Sequence, residues 1–249
     1  MKLNRIQTYV LAYGWFHSVY FAIWAFIVYS TSSPYNAYGY GLAGTFIGGI
    51  VKALTFVLVN GLIILASAIL IILDNRQRQN EIDFSWQRSN YYRIIILGVT
   101  FFFALPWLFA IHGIFISDVP GLNMIFLGGQ PGILGTNPFD YIYPAVHLGL
   151  HHGTDGYLHI SYATAFSILI FKMKKPLIRN ISIFGMGFLA FYGFFAYIED
   201  FFHEQILKRG FIHPIWHLLK LFYDFGIFFG LLFGVIILIA GLYYFRDKE

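Results

Sequence analysis

"FIGGIVKALTFVLVNGLIILASAILIIL", Phe46 to Leu73, decides the fold class. Its only charged side chain is Lys52. About 20 apolar residues in a helix cross roughly 30 Å of hydrocarbon, and in lipid a helix satisfies all its backbone polar groups internally. The apolar run begins at Leu42, longer than one upright span needs, so its start reads as tilted or interfacial. The rest of the chain follows suit. Of 249 residues 58% are hydrophobic, 21% aromatic and 11% charged, against about 25% charged in a soluble domain. The composition predicts an all-α integral membrane protein, since a barrel would show short alternating segments instead.

Six spans are predicted, over about 9–31, 46–73, 93–117, 144–171, 180–206 and 214–244, forming one transmembrane domain. "MKLNRIQTYVLAYGWF" opens with basic residues but no small-residue cleavage site follows, so it reads as a retained first helix. Six spans put both termini on one side. Lys2, Arg5, Arg76, Arg78, Arg88, Arg93, Lys172, Lys174, Lys175, Arg179, Arg246 and Lys248 all fall on that side, of 16 Lys and Arg in the chain. The opposite loops hold only Lys208 and Arg209, and Lys52 and Lys220 lie inside spans. The bias of basic loops predicts a multi-pass protein of the cell membrane with cytoplasmic termini. The net charge of +4 sits in short loops and suggests no nucleic-acid partner. Without cysteine, thiolate metal sites, disulfides and cysteine nucleophiles are excluded. The long opposite loop "SDVPGLNMIFLGGQPGILGTNPFDY" exceeds a plain connection, as functional or partner-contacting loops do.

The ionisable residues gather late in the chain. In "IEDFFHEQILKRGFIHPIWH", Glu199 and His203 are four apart and share a helix face. The Lys208–Arg209–Gly210 turn then brings His217, on the returning helix, to a similar depth. One carboxylate and two imidazoles form a facial set suited to copper, zinc or iron. Glu204 and His213 read instead as turn hydrogen-bonding groups. A second cluster lies in "DYIYPAVHLGLHHGTDGYLH", where Asp140, His147, His151, His152, Asp155 and His159 suggest a metal or proton-transfer role. His147 and His151 are i,i+4 neighbours, and His152, Asp155 and His159 make a second face. Acids and histidines inside membrane helices are costly and usually functional or paired. His17, alone in the first span, reads as a hydrogen-bonded packing residue.

This pattern resembles the C-type subunits of the copper membrane monooxygenases, the family of particulate methane and ammonia monooxygenases. Those chains have six spans and an Asn-x3-His followed fourteen residues later by a second His, with a Pro near it. Here Glu199-x3-His203 is followed by His217, with Pro214 nearby, and Asp140-x6-His147 with Pro144 matches an upstream family pattern. Glu199 replaces the family's Asn, keeping an oxygen ligand and adding a charge. The family's other Asp-x3-His has no counterpart in 120–139, where there is no histidine; Asp155-x3-His159 is the nearest local echo. The resemblance implies copper held by Glu199, His203 and His217 near the outer face, with Asp200 and Glu204 orienting the ligands. It implies A- and B-type partner subunits in a trimer of heterotrimers, a quinol or similar electron donor, and O2-dependent oxidation of methane, a short alkane or ammonia. Three other readings use the same residues: a b-type cytochrome with haem between helices, a di-iron hydroxylase suggested by "HLGLHH", and a proton- or ion-conducting protein.

Overall fold

The computed structural model describes residues 3, 5–31, 45–75, 87–112, 114, 128–129, 146–147, 152–203 and 225–246. They form six helices: α1 (Arg5–Thr31), α2 (Phe46–Asn75), α3 (Arg88–Ile111), α4 (His152–Ile170), α5 (Pro176–Phe202) and α6 (Gly226–Arg246). All but α4 contain a segment long and apolar enough to cross a membrane. A two-residue parallel bridge, β1 (Gly128–Gly129) with β2 (Val146–His147), accompanies them.

The fourth helix departs from expectation at its start. Hydropathy carries it back to about 144, but Val146 and His147 are extended and pair with Gly128 and Gly129. That bridge gives the backbone the hydrogen bonds that a helical turn would otherwise supply. His147 is therefore extended rather than helical. The last span, expected from 214, is described from Gly226 onward.

α4 and α5 form the centre of the bundle, with α6 on α5, α3 on α4, and α1 paired with α2. α4 is the most polar helix, and most of it is buried. α2 shows how the outer helices are made. Asn60, Ile64, Ser67, Ile71 and Asp74 alternate steps of four and three, which places them on one face, and all are buried. Leu58, Leu62, Leu65 and Ile69 on other faces are exposed, as lipid-facing side chains are. The main core joins Leu11, Ile64, Tyr162, Phe166, Ile178 and Met186 from α1, α2, α4 and α5. A second cluster, Ala104, Trp107, Tyr157 and Tyr197, ties α3 to the central pair.

One end of the bundle collects most of the described basic residues. Gln7 and Asn75 exchange two amide hydrogen bonds, of 3.0 and 2.8 Å, between α1 and α2. Arg93 donates to Asn90 at 2.6 Å and to Ser167 at 2.8 Å, which fixes α3 to α4. The Asp74 carboxylate accepts from the N–H groups of Lys174 and Lys175, both at 3.0 Å. These N–H groups precede Pro176 at the start of α5, where helical donors have no partner within the helix. Asp74→Ala would leave both unsatisfied and lower stability by about 1–3 kcal/mol. Asp74→Asn retains an acceptor oxygen, so its loss should be smaller. The midpoints of thermal unfolding in detergent would show this order, and equal losses would refute the cap.

Candidate functional site

The late acids and histidines are organised by the way α4 and α5 meet. The two helices run antiparallel and touch backbone to backbone at Gly156 and Gly193. A Cβ placed on Gly193 would lie 2.8 Å from the Gly156 carbonyl oxygen and 2.7 Å from His159 Cβ. Small residues allow such close approach between membrane helices. Further along the same crossing, the Gly153 N–H donates to Asp200 Oδ2 at 2.8 Å, and both groups are buried. Gly153 lies in the first turn of α4, so its N–H has no acceptor within the helix. A carboxylate there also meets the positive end of the helix dipole. The family resemblance gives Asp200 the task of orienting ligating imidazoles, and one of its observed partners is this backbone N–H.

The Asp200 contact sets the level of its neighbours. Glu199, the residue before Asp200 on α5, is 7% exposed. His203 has φ −62° and ψ −51°, and its N–H reaches the carbonyls of Glu199 and Asp200. The helical backbone therefore continues through His203, and Glu199 and His203 stand one turn apart on one face. Both make interactions with neighbouring groups. Their proposed third partner, His217, lies outside the described residues, as do Asp140, His151, Glu204 and His213. Of His147 only the extended backbone is described.

The second expected face exists on α4. His152 is the exposed first residue of the helix, and Asp155 and His159 follow at steps of three and four. Asp155 Oδ2 is 3.8 Å from His159 Nδ1, too far for a direct hydrogen bond. His159 is 5% exposed, and among the described residues neither ring nitrogen has a hydrogen-bond partner. The Tyr192 ring meets its imidazole edge-on at 5.6 Å between centroids. A buried imidazole with two unsatisfied nitrogens is costly. With a carboxylate nearby, its donor chemistry fits a cation or a transferable proton. Among the described residues, no three His, Asp or Glu side chains come close enough to form a complete metal site.

Sequence reading did not find Trp107, Tyr192 and Tyr197. Trp107 is fully buried and its ring lies against Gly153. Tyr197 meets Trp107 edge-on and donates its hydroxyl to the Thr100 carbonyl at 2.7 Å. These aromatics wall the crossing, and in so aromatic a chain nothing marked them out.

No protein-family model, curated protein or solved structure matches the chain. Its function is therefore inferred from its own residues.

Proposed function

We propose that this chain is a C-type subunit of a copper-dependent membrane monooxygenase that oxidises methane, a short alkane or ammonia with O2. Six spans would place both termini in the cytoplasm and the ligands near the outer face, with A- and B-type subunits as partners and a quinol as electron donor. The observation that carries this reading is the buried Glu199 carboxylate, one helical turn from His203 on the same face. A buried carboxylate beside an imidazole favours a bound cation, and His217 would complete a facial set. Copper, when bound, would supply the activation of O2. The chain's own residues would hold the ligand face and exclude water. Asp200, tied to Gly153, fixes the segment that presents Glu199. The aromatic side chains of Trp107, Tyr197 and Phe201 make the surroundings apolar, suited to a small apolar substrate.

Copper content and EPR of the purified membrane complex test the reading. The wild type is expected to bind copper with a nitrogen-ligated Cu(II) signal. His203→Ala and His217→Ala are each expected to lose that signal, with occupancy falling tenfold or more. Haem with a Soret band, or iron in place of copper, would overturn the assignment. One observation favours a second reading, proton conduction: the buried His159 with its unsatisfied nitrogens beside Asp155. Metal-free protein that moves protons, and loses this in His159→Phe, would support it over the first.

A further inference from the structure

Arg93 lies five residues past the first residue of α3, about 7.5 Å along the helix axis, and is 9% exposed. Its guanidinium is held by neutral groups. Nε donates to Ser167 Oγ at 2.8 Å, and Nη1 donates to Ser89 Oγ at 3.0 Å and to Asn90 Oδ1 at 2.6 Å. Nη2 donates to the Ser167 carbonyl oxygen at 3.3 Å, and the Phe171 ring lies 5.4 Å from the guanidinium carbon. A guanidinium has five N–H groups and stays protonated. One Nη2 hydrogen and the whole positive charge therefore remain to be matched.

Among the described residues no carboxylate pairs with Arg93. Asp155, Glu199 and Asp200 belong to the opposite end of the α4–α5 pair. Asp74 is at the same end, but its Oδ1 accepts from the Lys174 and Lys175 N–H groups. Lys172, Lys174 and Lys175 follow the end of α4 and add to the positive excess. A charge buried without a partner is costly, and folded proteins normally supply one. The polar contacts of Arg93 position its charge without neutralising it.

The surroundings identify the partner. The headgroup layer on each side of a bilayer is about 5–8 Å deep. With the start of α3 at the membrane surface, Arg93 stands at the inner boundary of that layer. Phe171, which meets Arg93 with its ring, is 47% exposed and lies 6.0 Å between centroids from Tyr244 of α6. Tyr244 is itself half exposed. An apolar, lipid-accessible surface thus adjoins the buried charge, which is the arrangement an amphiphile requires. We propose that an anionic phospholipid is the counter-ion of Arg93, its phosphate oxygens toward the guanidinium and an acyl chain along Phe171 and Tyr244. Phosphatidylcholine also has a phosphate, but its choline cation would stand among Lys172, Lys174 and Lys175. A lipid with a glycerol or a second phosphate in that place carries no such penalty. The inference is independent of copper and of the monooxygenase reading.

Native mass spectrometry would count lipids on the purified, delipidated full chain, titrated with dioleoyl phosphatidylglycerol or dioleoyl phosphatidylcholine. The first phosphatidylglycerol should bind about fivefold more tightly, the preference expected for one charge matched near a membrane surface. Arg93→Gln should remove the preference. Ser89→Asp should remove it too, because it places a carboxylate beside Nη1 in the first turn of α3, where helices favour acids. Arg88→Gln with Lys174→Gln, which removes two exposed cations, should keep it. Loss of the preference in that double variant, or its survival in both Arg93→Gln and Ser89→Asp, would show diffuse surface attraction and overturn the proposal. Displacement of the lipid by an equal concentration of inorganic phosphate would mark a site for a soluble anion and overturn it as well. Glu81 and Asp83 lie outside the described residues. A wild type without preference would also refute the lipid, and gain of one on Glu81→Gln with Asp83→Asn would then place the counter-ion within the chain. Should Arg93→Gln not fold, Ser89→Asp and the double variant decide the matter.

Discussion

Gly193→Ala should destabilise the protein, while Gly185→Ala, on the same helix, should leave stability unchanged or raise it. Alanine is the better helix former by about 1 kcal/mol, so in open surroundings the change is favourable. Nothing lies within 4 Å of a Cβ at Gly185. At Gly193 the new carbon would sit 2.7 Å from His159 Cβ, 2.8 Å from the Gly156 carbonyl oxygen and 3.2 Å from the Ile160 nitrogen. Two of these three atoms are backbone and cannot rotate away. Relief requires α4 and α5 to separate along their whole contact, at a cost of about 1–3 kcal/mol or more. Gly193→Leu should go further and prevent accumulation of folded protein. Gly156→Ala should act like Gly193→Ala, because its Cβ would come within 2.7 Å of the Tyr197 nitrogen. Unfolding midpoints in mixed detergent would report the signs. Equal midpoints for Gly185→Ala and Gly193→Ala would disprove the close crossing.

Asp200→Ala should also be strongly destabilising, through a different cause. The substitution removes the acceptor of a buried N–H at the start of α4, in a place shut off from bulk solvent. An unsatisfied buried donor costs about 1–3 kcal/mol, and the lost carboxylate–helix-end interaction adds to it. Asp200→Asn should recover part of the loss, since it restores an acceptor without the charge. Amide hydrogen exchange at Gly153 gives the local readout and should accelerate in Asp200→Ala well before the rest of α4 is affected. Under the metal reading, Asp200→Ala should reduce copper occupancy less than His203→Ala, because Asp200 holds the ligand segment in place without contacting the ion. Unchanged exchange at Gly153 would mean that Asp200 is no cap.

How far each feature could be read depended on how local its cause is. The apolar runs of α1, α2, α3, α5 and α6 declare themselves because each depends only on composition over one stretch. The shared face of Glu199 and His203 was equally legible, since an i,i+4 relation follows from helical pitch. The start of α4 was not. Val146 and His147 look like helix by hydropathy, and their pairing with Gly128 and Gly129 is fixed by residues almost twenty positions away. The Asp200–Gly153 bond, between residues 47 apart, and the Asp74 contacts to Lys174 and Lys175, about 100 apart, leave no trace in spacing. Asp200 stands out in the sequence for its position beside Glu199, yet it caps a backbone group on another helix. Gly156 and Gly193 were equally silent, because each is one glycine in a chain that has 25.

The two carboxylates that hold helix starts act at opposite ends of the bundle, and together they restrict how it can move. Asp74 of α2 grips the entry to α5, and Asp200 of α5 grips the entry to α4. A lengthwise slip of α5 by one turn, about 5.4 Å, would break both grips and drive the glycine crossing onto larger side chains. The central pair therefore behaves as a strut that resists piston motion. Movement that reaches the His203 end from the basic end must come as tilting or rotation of the helices around it.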